Sequence, residues 1–89
     1  MKETLFPGML LKERREVLGF SVEAVSRKTH VLPEHIIAFE SGQFDNMPGN
    51  AYVLGFLRSY CRFLDLEPEP FCDQYLICTR TQQNSARFN

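Results

Sequence analysis

Apolar residues recur along this chain at helical spacing, and five segments carry the pattern. Leu10, Leu11, Val17 and Leu18, with Arg14 among them, predict a first helix from Pro7 to Leu18. Pro7 suits a first helical turn, where its missing N–H costs nothing, and Gly19 is a natural stop. Ser21 is a fitting N-cap for a second helix, with Glu23 in its first turn and Val22 and Val25 as a short apolar face ending near Thr29. Pro33 opens a third helix through Ile36, Ile37 and Phe39 to a stop at Gly42. Helices two and three are short and joined only by His30-Val31-Leu32, the pattern of a helix-turn-helix. Residues 43–49, QFDNMPG, have turn chemistry, with Phe44 and Met47 expected to pin the loop to the core.

The fourth segment, NAYVLGFLRSYCRFL from Asn50 to Leu64, is the most apolar, and Asn50 is its expected N-cap. At about 100° per residue, Tyr52, Phe63, Phe56 and Tyr60 fall within about 80° of one another. Val53, Leu64, Leu57, Cys61 and Leu54 continue that arc by about 120°, leaving Arg58, Arg62, Gly55 and Ser59 for the polar side. An ordinary surface helix has an apolar stripe only a little wider than about 100°. The excess predicts an aliphatic section docked on the core and an aromatic section partly left for a partner; the alternative is that both sections are core in a small domain with few other large residues. Pro68 starts a fifth helix carrying Phe71, Cys72, Tyr75, Leu76 and Cys78. No strand alternation or internal repeat is present. The fold class is therefore all-α, a compact five-helix bundle with a helix-turn-helix over residues 1–78, followed by a polar tail, 79–89, expected to be disordered and to lead toward a linker.

Composition narrows the function. With 89 residues and a net charge of −1, the chain is one small domain without the global basicity of a general nucleic-acid binder. No apolar run approaches the length of about 18 residues that a membrane span needs, and the N-terminus lacks a secretory signal. Cys61, Cys72 and Cys78 show no CxxC spacing, which points to buried reduced thiols in a cytoplasmic chain and to no metal or cofactor. No spacing assembles a nucleophile, a base and an orienting group, so an enzyme is not expected.

Particular residues carry a resemblance. Arg15-Glu16, Gly19-Phe20-Ser21, Ala38-Phe39-Glu40, Gly42, Phe44, Met47-Pro48-Gly49, Tyr52, Gly55-Phe56-Leu57-Arg58, Tyr60 and Leu64-Asp65-Leu66 resemble the N-terminal cytoplasmic domains of the RodZ family, within the repressor-like (XRE-type) helix-turn-helix fold. The specific part is E-x-G-x-F-x-x-x-P-G followed by Y-x-x-G-F-L-R-x-Y. One departure is Asp65, where the family usually has Gly; Asp tolerates the left-handed turn better than most residues. The resemblance implies a non-catalytic interaction module that binds MreB, the bacterial actin homologue, and links it to the membrane in cell-shape maintenance. Its place would be the cytoplasm, at the inner face of the membrane if a transmembrane segment follows. The resemblance puts the partner-binding aromatics at Phe56 and Tyr60. Arg58 and Arg62, on the polar side, are candidate rim contacts, and Tyr52 and Phe63 either extend the patch or lie in the core. The resemblance also implies a buried bridge between Arg15 and Glu40.

The alternative is a DNA-binding transcriptional regulator, which a helix-turn-helix naturally suggests. Charge argues against it. From Val31 to Leu57 there is no Lys or Arg, while Glu34, Glu40 and Asp45 are acidic. In repressor-like register the base-facing positions are Val22, Pro33, Glu34 and Ala38, which offer a phosphate-rich groove little. His35 reads as a surface histidine. Arg27 and Lys28, beside His30, are the residues that would touch a nucleic-acid backbone.

Overall fold

The computed structural model describes the backbone of residues 6–87 and the side chains of residues 6–80. The elements are helices alone: α1 (Gly8–Leu18), α2 (Val22–Thr29), α3 (Pro33–Ser41), α4 (Asn50–Phe63) and α5 (Pro68–Arg87). Among the described residues there is no strand.

Local signals set most boundaries. Gly19 ends α1 at φ 83°, and Gly42 ends α3 at φ 75°, both in the left-handed region where a Cβ is penalised. Ser21 caps α2 by accepting the Ala24 N–H at 3.1 Å. His30 takes the left-handed position at the end of α2, φ 64°, and its N–H donates to the Ser26 carbonyl. After α4 the chain turns through Asp65 at φ 61°, so the aspartate does occupy the left-handed turn. The Leu66 N–H closes that turn on the Cys61 carbonyl at 2.8 Å.

Two boundaries depart from the sequence expectation. Gly49, not Asn50, stands at the N-cap of α4, and no side chain caps it. Asn50 is already helical, so its amide is not placed to accept from its own first turn. The last helix continues past Cys78 to Arg87. No Gly or Pro breaks the chain there, and Thr79 is buried with its hydroxyl donating to the Tyr75 carbonyl at 2.9 Å. The tail expected to be disordered from residue 79 thus begins as helix; its side chains from residue 81, and residues 88–89 altogether, lie outside the described residues.

The core collects Leu11, Val25, Val31, Ile36, Phe39, Phe44, Val53, Leu57, Leu64 and Tyr75 from all five helices and the 43–49 loop. Phe44 is buried and Met47 packs against the cluster, so both pin the loop as expected. α1 lies on α3, α2 on α3 and α4, and α5 on α4. Gly8 shows why α1 can approach α3 so closely. A Cβ built there would stand 2.3 Å from the Phe39 carbonyl oxygen and 2.5 Å from that of Glu40, backbone atoms that cannot swing aside. This arrangement leaves the outer faces of α3 and α4 on the surface.

Candidate protein-interaction surface

The inner edge of α4 meets a buried polar triad. Arg15, from α1, reaches Glu40, from α3, with two parallel bonds: Nε to Oε2 at 2.7 Å and Nη2 to Oε1 at 2.9 Å. Its remaining Nη1 donates to the Phe20 carbonyl at 3.0 Å. The Tyr60 hydroxyl, from α4, donates to the same Glu40 Oε2. The fork geometry satisfies the guanidinium, as a buried charge requires. Hydrogen bonding to Glu40 raises the Arg15 pKa above its ordinary value. Burial, followed by the bond to Glu40, likewise raises that of the Tyr60 phenol. The bridge implied for Arg15 and Glu40 is present, and Tyr60 completes it.

That placement corrects the reading of Tyr60 as a partner-binding anchor, because its side chain is 0% exposed. On the helical wheel Tyr60 lies only about 20° from Val53, at the inner boundary of the aromatic section. Glu40 supplies the acceptor that lets its hydroxyl be buried there.

The rest of the aromatic section does face outward. Tyr52, Phe63 and Phe56 fall within about 40° on the wheel and run the length of α4 as a ridge. Tyr52 is 68% exposed. Phe56 and Phe63 are half-buried, each supported from a neighbouring segment. The Phe56 ring stacks on His35 at 5.3 Å between centroids, and Phe63 meets Phe20 edge-on at 4.9 Å. Supported rings lose little freedom when a partner covers them, which favours them as anchors. Arg62 is exposed and Arg58 half-buried. Arg58 points away from Phe56 by about 160° on the wheel, and its charge acts on Cys72 of α5.

His35 is also corrected. It is 9% exposed, under Phe56, and its Nδ1 is buried without a hydrogen-bond partner. Its neighbours on the outward face of α3 are Glu34, Ile37, Ala38 and Ser41. With the loop residues Asp45 and Met47 they border a cavity of 360 Å³. The sequence reading did not find this cavity; the Lys/Arg-free interval and the spacing of Glu34, Ile37 and Ser41 were its only trace.

Arg27 and Lys28 are exposed in the last turn of α2, where cations complement the helix dipole. Val22 is half-buried, as are Pro33 and Ala38, and no cation lies on α3. Among the described residues no group of His, Cys, Asp and Glu is arranged to hold a metal ion. Cys61, Cys72 and Cys78 are buried thiols without disulfides, and burial pushes Cys61 up to about 12.

Comparison with known proteins agrees with the helix-turn-helix fold. A family model described as a helix-turn-helix domain matches residues 10–71. The chain is 28% identical over 68 residues to the cytoskeleton protein RodZ of Streptococcus pneumoniae, covering 76% of this chain and 25% of that protein. It is 27% identical over 84 residues to an uncharacterized protein of Haemophilus influenzae, covering 93% of this chain and 27% of that one. The chain thus spans about a quarter of the length of these relatives. No solved structure matches it.

Proposed function

The chain belongs to the helix-turn-helix domain family, as a RodZ-like member, and from that premise we propose that it binds an actin-like filament protein of the MreB kind through the outer ridge of α4. The family and the RodZ similarity support a cytoskeleton-related module, and in this reading it works without catalysis. The contact itself rests on the Tyr52–Phe56–Phe63 ridge. Tyr52 and Phe56 are its anchors, Arg62 a rim contact, and Tyr60 a positioning residue that fixes the helix from behind. In this reading the module works on the cytoplasmic side, and a segment outside this sequence supplies the link to the membrane. No helix among the described residues is long and apolar enough to cross one.

DNA binding is disfavoured by the absence of any Lys or Arg from α3 and the 43–49 loop, since phosphate neutralisation supplies most of such affinity. Arg27 and Lys28 would give at most weak, steeply salt-dependent binding.

The test is co-sedimentation with MreB filaments, run beside thermal melts. Tyr52→Ala and Phe56→Ala should weaken binding by about thirtyfold each, as hot-spot aromatics do, while the fold persists. Folded variants that bind like the parent would remove α4 as the contact. Sub-micromolar, sequence-selective binding of duplex DNA at physiological salt would replace this reading with the regulator.

A further inference from the structure

We propose that the cavity on the outward face of α3 is a second binding site, which takes a lysine- or arginine-bearing peptide segment of a partner protein. This goes beyond the α4 ridge and does not depend on it.

The site is built by α3 and the loop folded back over it. Glu34, Ile37 and Ala38 lie on one face of α3, within about 100° on the wheel, and Met47, pinned to the core, brings the loop across to them. The cavity is an open-sided groove whose 360 Å³ suits one or two side chains and falls at the small end of ligand pockets. Its interior is part apolar. Ile37 is 54% exposed, an isoleucine on a helix face with room beside it.

Its charge specifies the occupant. Glu34 and Asp45 are exposed carboxylates on its border, and among the described residues neither is ion-paired. The third acid of the interval, Glu40, is consumed by Arg15 and Tyr60. No lysine or arginine lies anywhere from Val31 to Leu57. The face is therefore anionic with no cation of its own, and it complements a basic segment and repels a phosphate backbone.

His35 is the independent observation. Nine-tenths buried, it lines the cavity while its Nδ1 lacks any hydrogen-bond partner. Buried polar atoms are nearly always satisfied; this nitrogen is sealed as the face stands, and a donor from the occupant reaches it when the imidazole turns toward the cavity. The outward face of the second helix of a helix-turn-helix ordinarily meets nucleic acid; here the same position carries the opposite sign.

The experiment uses the full chain and two synthetic amphipathic helical peptides, one of leucine and lysine, the other with glutamate at every lysine. Binding is followed by calorimetry and by amide shifts in ¹⁵N spectra. The lysine peptide should bind at least about tenfold more tightly than the glutamate peptide, with shifts centred on α3 and residues 43–47. The double variant Glu34→Gln/Asp45→Asn, which leaves the core untouched, should weaken it by about fivefold, the worth of two partly exposed charges. Tyr52→Ala should not weaken it. Equal binding of the two peptides, full binding by the double variant, or shifts confined to other helices would overturn the proposal. So would a stronger response of the same amides to duplex DNA, or shifts that depend on protein concentration alone and assign the face to a second copy.

Discussion

Tyr52 and Tyr60 stand about 12 Å apart along one helix, yet one is two-thirds exposed and the other sealed in the core. Both belong to the same aromatic arc in sequence. What separates them is a carboxylate on another helix. Glu40 offers Tyr60 an acceptor already charged and oriented by Arg15, so its hydroxyl can be buried without loss. Among the described residues, nothing comparable faces Tyr52. At the edge of an apolar arc, then, the fate of an aromatic is decided by the polar groups its neighbours bring, more than by its own hydrophobicity.

The most forceful way to break this comparison is Glu40→Ala. It leaves the buried Arg15 guanidinium without its counter-ion and Tyr60 without its acceptor, and we expect a loss of about 3–5 kcal/mol in urea unfolding. Replacing all three together, Arg15→Met with Glu40→Leu and Tyr60→Phe, should recover most of that, because no buried charge is stranded. Recovery of stability but not of filament binding would show that the triad sets the pose of α4 rather than merely holding it.

Tyr52→Ala sharpens the comparison from the other side. It should cost about 2 kcal/mol of binding while stability stays within about 0.5 kcal/mol, as for most surface changes. Tyr60→Phe should show the reverse, losing about 1 kcal/mol of stability with binding falling only as the folded fraction falls.

The same tyrosine gives a pH signature. Its folded-state pKa is raised above the ordinary 10.0, so the folded protein holds a proton that the unfolded chain releases. That stability is complete below pH 10 and declines as pH rises beyond it. Melts from pH 8 to 11 should fall more steeply for the parent than for Tyr60→Phe. The smallest effect is expected at the far end of α4. Asp65→Ala puts an ordinary side chain at φ 61° and should cost about 1 kcal/mol; the exposed pair with Arg14 at 4.0 Å adds little.

The helix-turn-helix was legible because its punctuation is local. Gly19, Ser21, Pro33 and Gly42 act through their own backbone or the next turn, and all four stand where the sequence puts them. Asn50 failed as a cap because its preference for that position does not fix its dihedral angles. α5 ran on past Cys78 because a polar stretch without Gly or Pro carries no stop signal. In the candidate surface, the wheel found the α4 ridge but could not divide it, since the dividing group lies 20 residues away. His35 reads as exposed in sequence for the same reason: its cover, Phe56, comes from another helix. The cavity needs the loop laid back over α3, and although its whole lining lies between Glu34 and Met47, the path of the loop is set by Phe44 and Met47 packing on the core, which no local pattern encodes.

The three buried thiols turn the molecule into its own gauge of breathing. Cys61 sits on α4, and Cys72 and Cys78 on α5. In the closed state a thiol-specific reagent finds Cys61 and Cys72 sealed and Cys78 nearly so, so labelling follows the rate at which their surroundings open. Local openings span free energies from near zero to that of global unfolding. If α4 and α5 come apart as separate cooperative units, Cys61 and the α5 pair will label at different rates in the unaltered protein. A filament clamped on α4 would slow Cys61 first, reporting where the partner sits with no probe attached to the surface it covers.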